Sequence, residues 1–316
     1  MTGLLTDFPY PFKEDVYRYS NNSIPLETSN SIEITQGYKA DIQLKRRLLT
    51  HSRERCYQSL PHTLAGQWEI VELVIEHLTV HYPEYFTVNK NGSSWTFANR
   101  ILGEEQSFIF GDESTLPCEP LEFIGKHVQE DVIYMKQRDG DLFLDAGQLC
   151  FPANWSLAFD LGMSFKEIHS PIPGFKEEGL DDRILRFLLK LESGSPWWRK
   201  NWSLMAGNRM DTSLETFDVW GQERKKVTKE NAGKLVHLRV EVQKLFRLPR
   251  TMGILFTIHT HLLPLEELCS KPEWLFQFYE ILRGLPPHIT EYKGLSLFKD
   301  QVIEYLQDRI GERNWQ

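Results

Sequence analysis

His169 stands in the most chemically distinctive stretch of this sequence, Phe165-Lys166-Glu167-Ile168-His169-Ser170-Pro171-Ile172-Pro173-Gly174. Two prolines one residue apart fix φ and cut the backbone entropy lost on ordering, so the imidazole is presented rigidly. Phe165, Ile168, Ile172 and Phe175 surround it in sequence. One well-placed imidazole and an apolar slot are what an axial haem ligand requires. A core histidine bonded to a backbone carbonyl fits the same residues, and residue types alone favour that reading. His259 and His261 form a His-x-His pair whose rings share one face of a strand, a spacing met in metal sites. No third ligand is evident beside them, and His259 is the alternative haem ligand. His77 and His81 are helical neighbours four apart, but no glutamate base lies between them as in the zincin pattern, which favours a core or surface role.

The elements that must position these residues follow from periodicity. Arg138-Asp139-Gly140-Asp141 lies between Val132–Met135 and Leu142–Leu144, a strong hairpin signal. From Leu235 to Leu245, Val236, Leu238, Val240 and Val242 share one strand face while His237, Arg239, Glu241 and Gln243 share the other. A further strand runs from Gly253 to Leu263. Helices are expected at 41–60, with a basic group of Lys45, Arg46, Arg47, Arg53 and Arg55, and at 64–80, with Trp68, Val71, Ile75 and Leu78 on one stripe. Another is expected at 184–191, started by Asp181 or Asp182, and the last at 296–309. Ser270-Lys271-Pro272-Glu273 reads as a capping box. Residues 1–40 read as an extended arm and 41–316 as a single α+β domain.

Composition narrows the function classes. Net charge is −8, which argues against a nucleic-acid partner. Cys56, Cys118, Cys150 and Cys269 contain no Cys-x-x-Cys pair, so neither a zinc cluster nor a c-type haem attachment is expected. No apolar run reaches the roughly 20 residues of a membrane span, and the first residues lack a signal-peptide pattern. A cytoplasmic protein with reduced thiols is the expectation. The Rossmann and P-loop signatures are absent.

Four linked motifs in chain order carry a resemblance. They are Cys150-Phe151-Pro152 with Trp155; Ile168-His169-Ser170-Pro171-Ile172-Pro173 after Leu161-Gly162; Arg199-Lys200-Asn201-Trp202; and Arg239-Val240-Glu241-Val242-Gln243-Lys244-Leu245 with Arg247-Leu248-Pro249 and Phe256-Thr257-Ile258. The chain resembles the haem-dependent oxidative N-demethylase alpha-subunit-like family over about residues 130–265, though Val242 stands where that family usually has arginine. The resemblance implies a PAS-like antiparallel sheet holding haem b, packed by N- and C-terminal helices. His169 would be the iron ligand, with Pro171, Pro173 and Trp155 shaping the cofactor site. It implies oxygen-dependent demethylation of a small secondary amine such as dimethylamine, releasing formaldehyde, with electrons from NADPH passing through flavin and iron–sulfur reductase subunits on other chains. Glu241, Arg199 and Arg239 carry over as catalytic residues: a carboxylate for the dialkylammonium proton and guanidinium groups for charge. The rival reading is a haem-binding PAS-like sensor or a non-catalytic interaction protein.

Overall fold

In the computed structural model, residues 7–17, 22–27 and 31–313 are described. Among them run β1 (Ile24–Pro25), β2 (Tyr57–Ser59), β3 (Phe86–Asn91), β4 (Ser94–Asn99), β5 (Glu104–Ile109), β6 (Asp131–Arg138), β7 (Asp141–Gln148), β8 (Trp197–Ala206), β9 (Val236–Arg247) and β10 (Ile254–Pro264). Seven make one sheet in the order β1-β8-β9-β10-β6-β7-β2, and β3-β4-β5 make a second. Its ladders are antiparallel. The hairpin joining β6 to β7 closes on Arg138 opposite Asp141, and Asp139 and Gly140 both take positive φ, 52° and 76°. That backbone twist matches the strands it joins, which is why the Asp-Gly pair belongs there.

The faces of the large sheet are loaded differently. On one, Val236, Leu238 and Val240 pack under Leu275, Phe278 and Ile281 of the helix Pro272–Arg283 and under Val302 and Leu306 of the helix Lys299–Arg313. Val132 and Tyr134 meet Val71 and Ile75 of the helix Leu64–His81 on that same face. On the other, Ile133, Leu245, Ile254 and Ile258 join Phe165, Phe175, Leu185 and Leu188 from the crossover between β7 and β8. Each fully buried Leu or Phe contributes about 1.5–3 kcal/mol over leaving it in water. The sheet is therefore packed by helices from both ends of the chain on one side and by the crossover on the other, an α+β architecture.

Several local expectations shift. The first long helix is Tyr38–His51, so it starts three residues before Asp41 and stops well short of residue 60. Of the basic group, Arg47 is exposed and the other four are engaged. Lys45 is buried and donates to the carbonyls of Val128 and Glu130, while Arg46 pairs with Glu104, Arg53 with Glu122 and Arg55 with Asp211. The crossover helix is Leu180–Leu189, entered through Gly179 at φ 63°, so Asp181 and Asp182 sit inside its first turn rather than before it. Ser270 does not cap the helix at Pro272; its hydroxyl donates to the Glu267 carbonyl. The β3-β4-β5 sheet was not expected. His77 has the core role: its Nε2 accepts from the Ile32 amide at 3.1 Å. Among the described residues no helix is long and apolar enough to cross a membrane, and no disulfide forms at the cysteines.

Candidate functional site

His169 ends a five-residue helix, Phe165–His169, which is held by a capping box. Ser164 Oγ accepts from the Glu167 amide at 3.3 Å and Glu167 Oε2 accepts from the Ser164 amide at 2.8 Å. His169 Nδ1 donates to the Phe165 carbonyl at 2.8 Å, since a carbonyl can only accept. The tautomer is thereby set, with the lone pair on Nε2. The ring lies 4.2 Å from the Phe165 ring and 5.4 Å, nearly parallel, from Phe175. Burial pushes its pKa down to about 4, and nearby Arg199 adds to that against the opposing Phe165 bond. The imidazole is therefore neutral near pH 7.

This ring opens on a cavity of about 420 Å³. Ile133, Met135, Phe165, Phe175, Phe256 and Ile258 make its apolar part. The other end is polar because β8 and β9 run in register with Arg199 opposite Gln243, Asn201 opposite Glu241 and Ser203 opposite Arg239. Strand alternation puts all of these on one face. Glu241 is 5% exposed and accepts from Arg239 Nε at 3.2 Å, Asn201 Nδ2 at 3.3 Å and Gln243 Nε2 at 3.1 Å. Arg239 is spoken for. It also donates to the carbonyls of Met210 and Phe151 and to Thr260 Oγ1, so it orients Glu241 and ties β9 to the strand end at Phe151.

The structure thus brings His169, Trp155, Arg199, Arg239 and Glu241 around one cavity. Pro171 and Pro173 are not among the lining residues, whereas Ile172 between them is; the prolines shape the turn rather than touch the space. His259 and His261 lie on the opposite face of β10 from Phe256 and Ile258, so the alternative placement of His259 as the cofactor ligand finds no support in this geometry. Sequence reasoning missed Tyr17, Arg224, Tyr292 and Lys293, which also line the cavity. Lys293 Nζ donates to the Trp202 carbonyl at 2.7 Å and sits 4.6 Å over the Trp202 ring. Burial, with Arg199 assisting and Glu241 opposing, brings its pKa down to about 8. Nothing in a lone Lys-Gly turn between two helices announces that role.

A sequence-family model described as "Haem-dependent oxidative N-demethylase, alpha subunit-like" matches residues 23–303. The chain belongs to this family. The description joins haem dependence to an oxidative enzyme built from more than one kind of subunit. The N-demethylase family's haem fits the residues present: one neutral imidazole with its Nε2 lone pair set by geometry, apolar walls, and arginines at the polar end. The motifs shared with the family also have structural reasons here. The Asp131 carboxylate accepts from the amides of Cys150 and Phe151 at 2.9 and 2.7 Å. Arg247 donates to the carbonyls of Leu188, Leu189 and Leu191, closing the end of the crossover helix whose Leu180 and Ile184 wall the cavity.

Proposed function

We propose that the cavity holds haem b with His169 Nε2 as the iron ligand, and that the chain is the haem-bearing subunit of an oxygen-dependent N-demethylase of a small secondary amine such as dimethylamine. The observation that carries this reading is a neutral histidine and a buried, three-fold hydrogen-bonded carboxylate facing the same apolar cavity. The PAS-like reading of the fold is supported by strand order. From β6 to β10 the strands lie second, first, fifth, fourth, third, with the helices inserted between second and third.

Haem, when bound, supplies the redox chemistry that couples oxygen to C–H oxidation. The chain's own residues bind and prepare the amine. Glu241 attracts the dialkylammonium and takes its proton on a carboxylate oxygen, leaving the amine lone pair available. Asn201, Gln243 and Arg239 keep the carboxylate aimed between turnovers. Arg199 supplies positive charge at the same end, and the apolar walls limit water. Conversion of a dimethylamine, oxygen, two electrons and two protons to methylamine, formaldehyde and water balances. The electrons come from NADPH through flavin and iron–sulfur partner subunits.

The test is an absorption spectrum of the purified chain after haemin reconstitution, followed by formaldehyde measurement with dimethylamine, oxygen and a chemical reductant. A Soret band lost in His169→Ala, and oxygen-dependent formaldehyde in the parent, are expected. A Soret band unchanged in His169→Ala overturns the ligand assignment. Haem binding without turnover of any small secondary amine leaves a binding protein instead of an enzyme.

A further inference from the structure

Behind the cavity, on the opposite face of the large sheet, a second group of ligating side chains converges. β10 presents His259 and His261 on one side, their ring centroids 4.2 Å apart. The segment carrying Glu33 crosses over them, fixed by hydrogen bonds from the Glu33 amide to Glu130 Oε1 at 2.9 Å and from the Thr35 amide to Gln129 Oε1 at 2.8 Å. Glu33 Oε1 lies 3.0 Å from Lys244 Nζ, while its Oε2 turns toward His259 Nδ1 at 3.6 Å. One ligand atom from each of Glu33, His259 and His261 falls within 4.8 Å of the others.

Three polar atoms in this pocket of charge are buried and lack a hydrogen-bond partner: His259 Nδ1, His261 Nε2 and Glu130 Oε2. His259 is 2% exposed, so bulk water does not satisfy it. The separations of 3.6 Å to Glu33 and 3.8 Å to Glu130 are too long for hydrogen bonds. They suit two atoms held apart by an ion between them, since bonds of about 2.0–2.2 Å in a tetrahedral arrangement put ligands roughly 3.4 Å apart. Charge agrees. Two carboxylates, Glu33 and Glu130, stand beside His259, and Lys244 Nζ meets Oε1 of Glu33 at 3.0 Å.

We propose that Glu33, His259 and His261 form a binding site for one divalent transition metal ion of the zinc class, distinct from the cavity site. Two imidazoles and a carboxylate are a borderline donor set that selects such ions over magnesium or calcium. The ion fastens residues 31–35 to the back of β10, so its role is to hold that segment onto the sheet. The site stands whether or not haem occupies the cavity.

The experiment takes the full chain, stripped with EDTA and dialysed, and titrates it with Co²⁺, then displaces the Co²⁺ with Zn²⁺. One equivalent of Co²⁺ with visible d–d bands is expected, and Zn²⁺ should raise the melting temperature. His261→Gln and Glu33→Gln should each weaken Co²⁺ binding at least about tenfold, because loss of a ligand costs no less than loss of its supporting hydrogen bond. His51→Gln, an exposed histidine elsewhere, and His169→Ala, on the cavity face, should bind Co²⁺ as the parent does. The proposal is overturned if the parent takes up no stoichiometric Co²⁺, or if His259→Gln/His261→Gln, shown folded by circular dichroism, binds it equally. If that double variant does not fold, Glu33→Gln decides alone, because it removes a ligand from outside the strand.

Discussion

Glu241 accepts three N–H donors, and this sets what its replacement does. In Glu241→Gln the amide nitrogen must face a donor, so a stability loss of about 1–3 kcal/mol accompanies the loss of basicity. Measured on protein shown to be folded, turnover should fall roughly 10²–10⁴-fold while the Soret band survives; near-normal formaldehyde release would make the carboxylate structural. His169 sets a pH dependence. Its pKa is about 4 in the folded chain against 6.5 for an ordinary histidine, so between those values the unfolded chain takes up a proton that the folded chain refuses. Stability of the haem-free protein from this group is complete above about pH 6.5 and is lost as pH falls toward 4, by about 1 kcal/mol per unit. Urea midpoints at pH 6.5 and 4.5 should separate more for the parent than for His169→Phe, which keeps the ring packing without the titration. At this scale a period of two put Arg239 and Glu241 on one strand face, as they lie, whereas for His169 residue types alone favoured a core histidine and the family resemblance singled it out. Lys293 and Arg224 were silent, since they reach the cavity from elements whose docking no local pattern encodes. The Glu33 partner of His259 and His261 was hidden likewise by a separation of more than two hundred residues.

At the level of elements, β9 and β10 were legible from alternation almost to their ends, as was the Asp139-Gly140 hairpin. The sheet of β3 to β5 was not, because β3 and β5 are mostly polar and partly exposed, and only the short β4 alternates clearly, with Trp95, Phe97 and Asn99 buried. The Asn-Gly step into the β3–β4 hairpin, whose loop is Gly92 at φ 58° and Ser93, was a signal that could have found it. The crossover helix depends on Arg247 rather than on a capping residue of its own. Arg247 is 3% exposed and meets three carbonyls at the helix end and that of Met252. Arg247→Leu should destabilise the chain by at least about 2 kcal/mol, since several buried carbonyls lose their donor together. Because Leu180 and Ile184 wall the cavity, haem affinity should fall as well. Urea melts and haemin titration check both; an unchanged midpoint would mean that the helix end is satisfied otherwise.

On the scale of the whole molecule, no Rossmann or P-loop signature and no cysteine cluster occurs in the sequence. Anaerobic mixing of the reconstituted chain with NADPH alone should therefore leave the haem oxidised over minutes, with prompt reduction only after reductase subunits are added. Prompt reduction by NADPH alone would place a reductase site on this chain. The first described residues pack against β8 and the helix Pro272–Arg283. The Tyr10 ring stacks on Trp274 at 4.3 Å, Phe12 packs edge-on to Trp202 at 5.0 Å and tilted against Phe278 at 5.8 Å, and β1 pairs with β8. Contacts spanning that much sequence make loop closure costly and folding slow. While the chain is still being synthesised, the cavity lacks Lys293 and the helices behind β9 lack their partners. On the proposed reading, cofactor capture thus follows emergence of the helix Pro272–Arg283 and of Lys293, and until then the apolar walls of the cavity are surface open to wrong association.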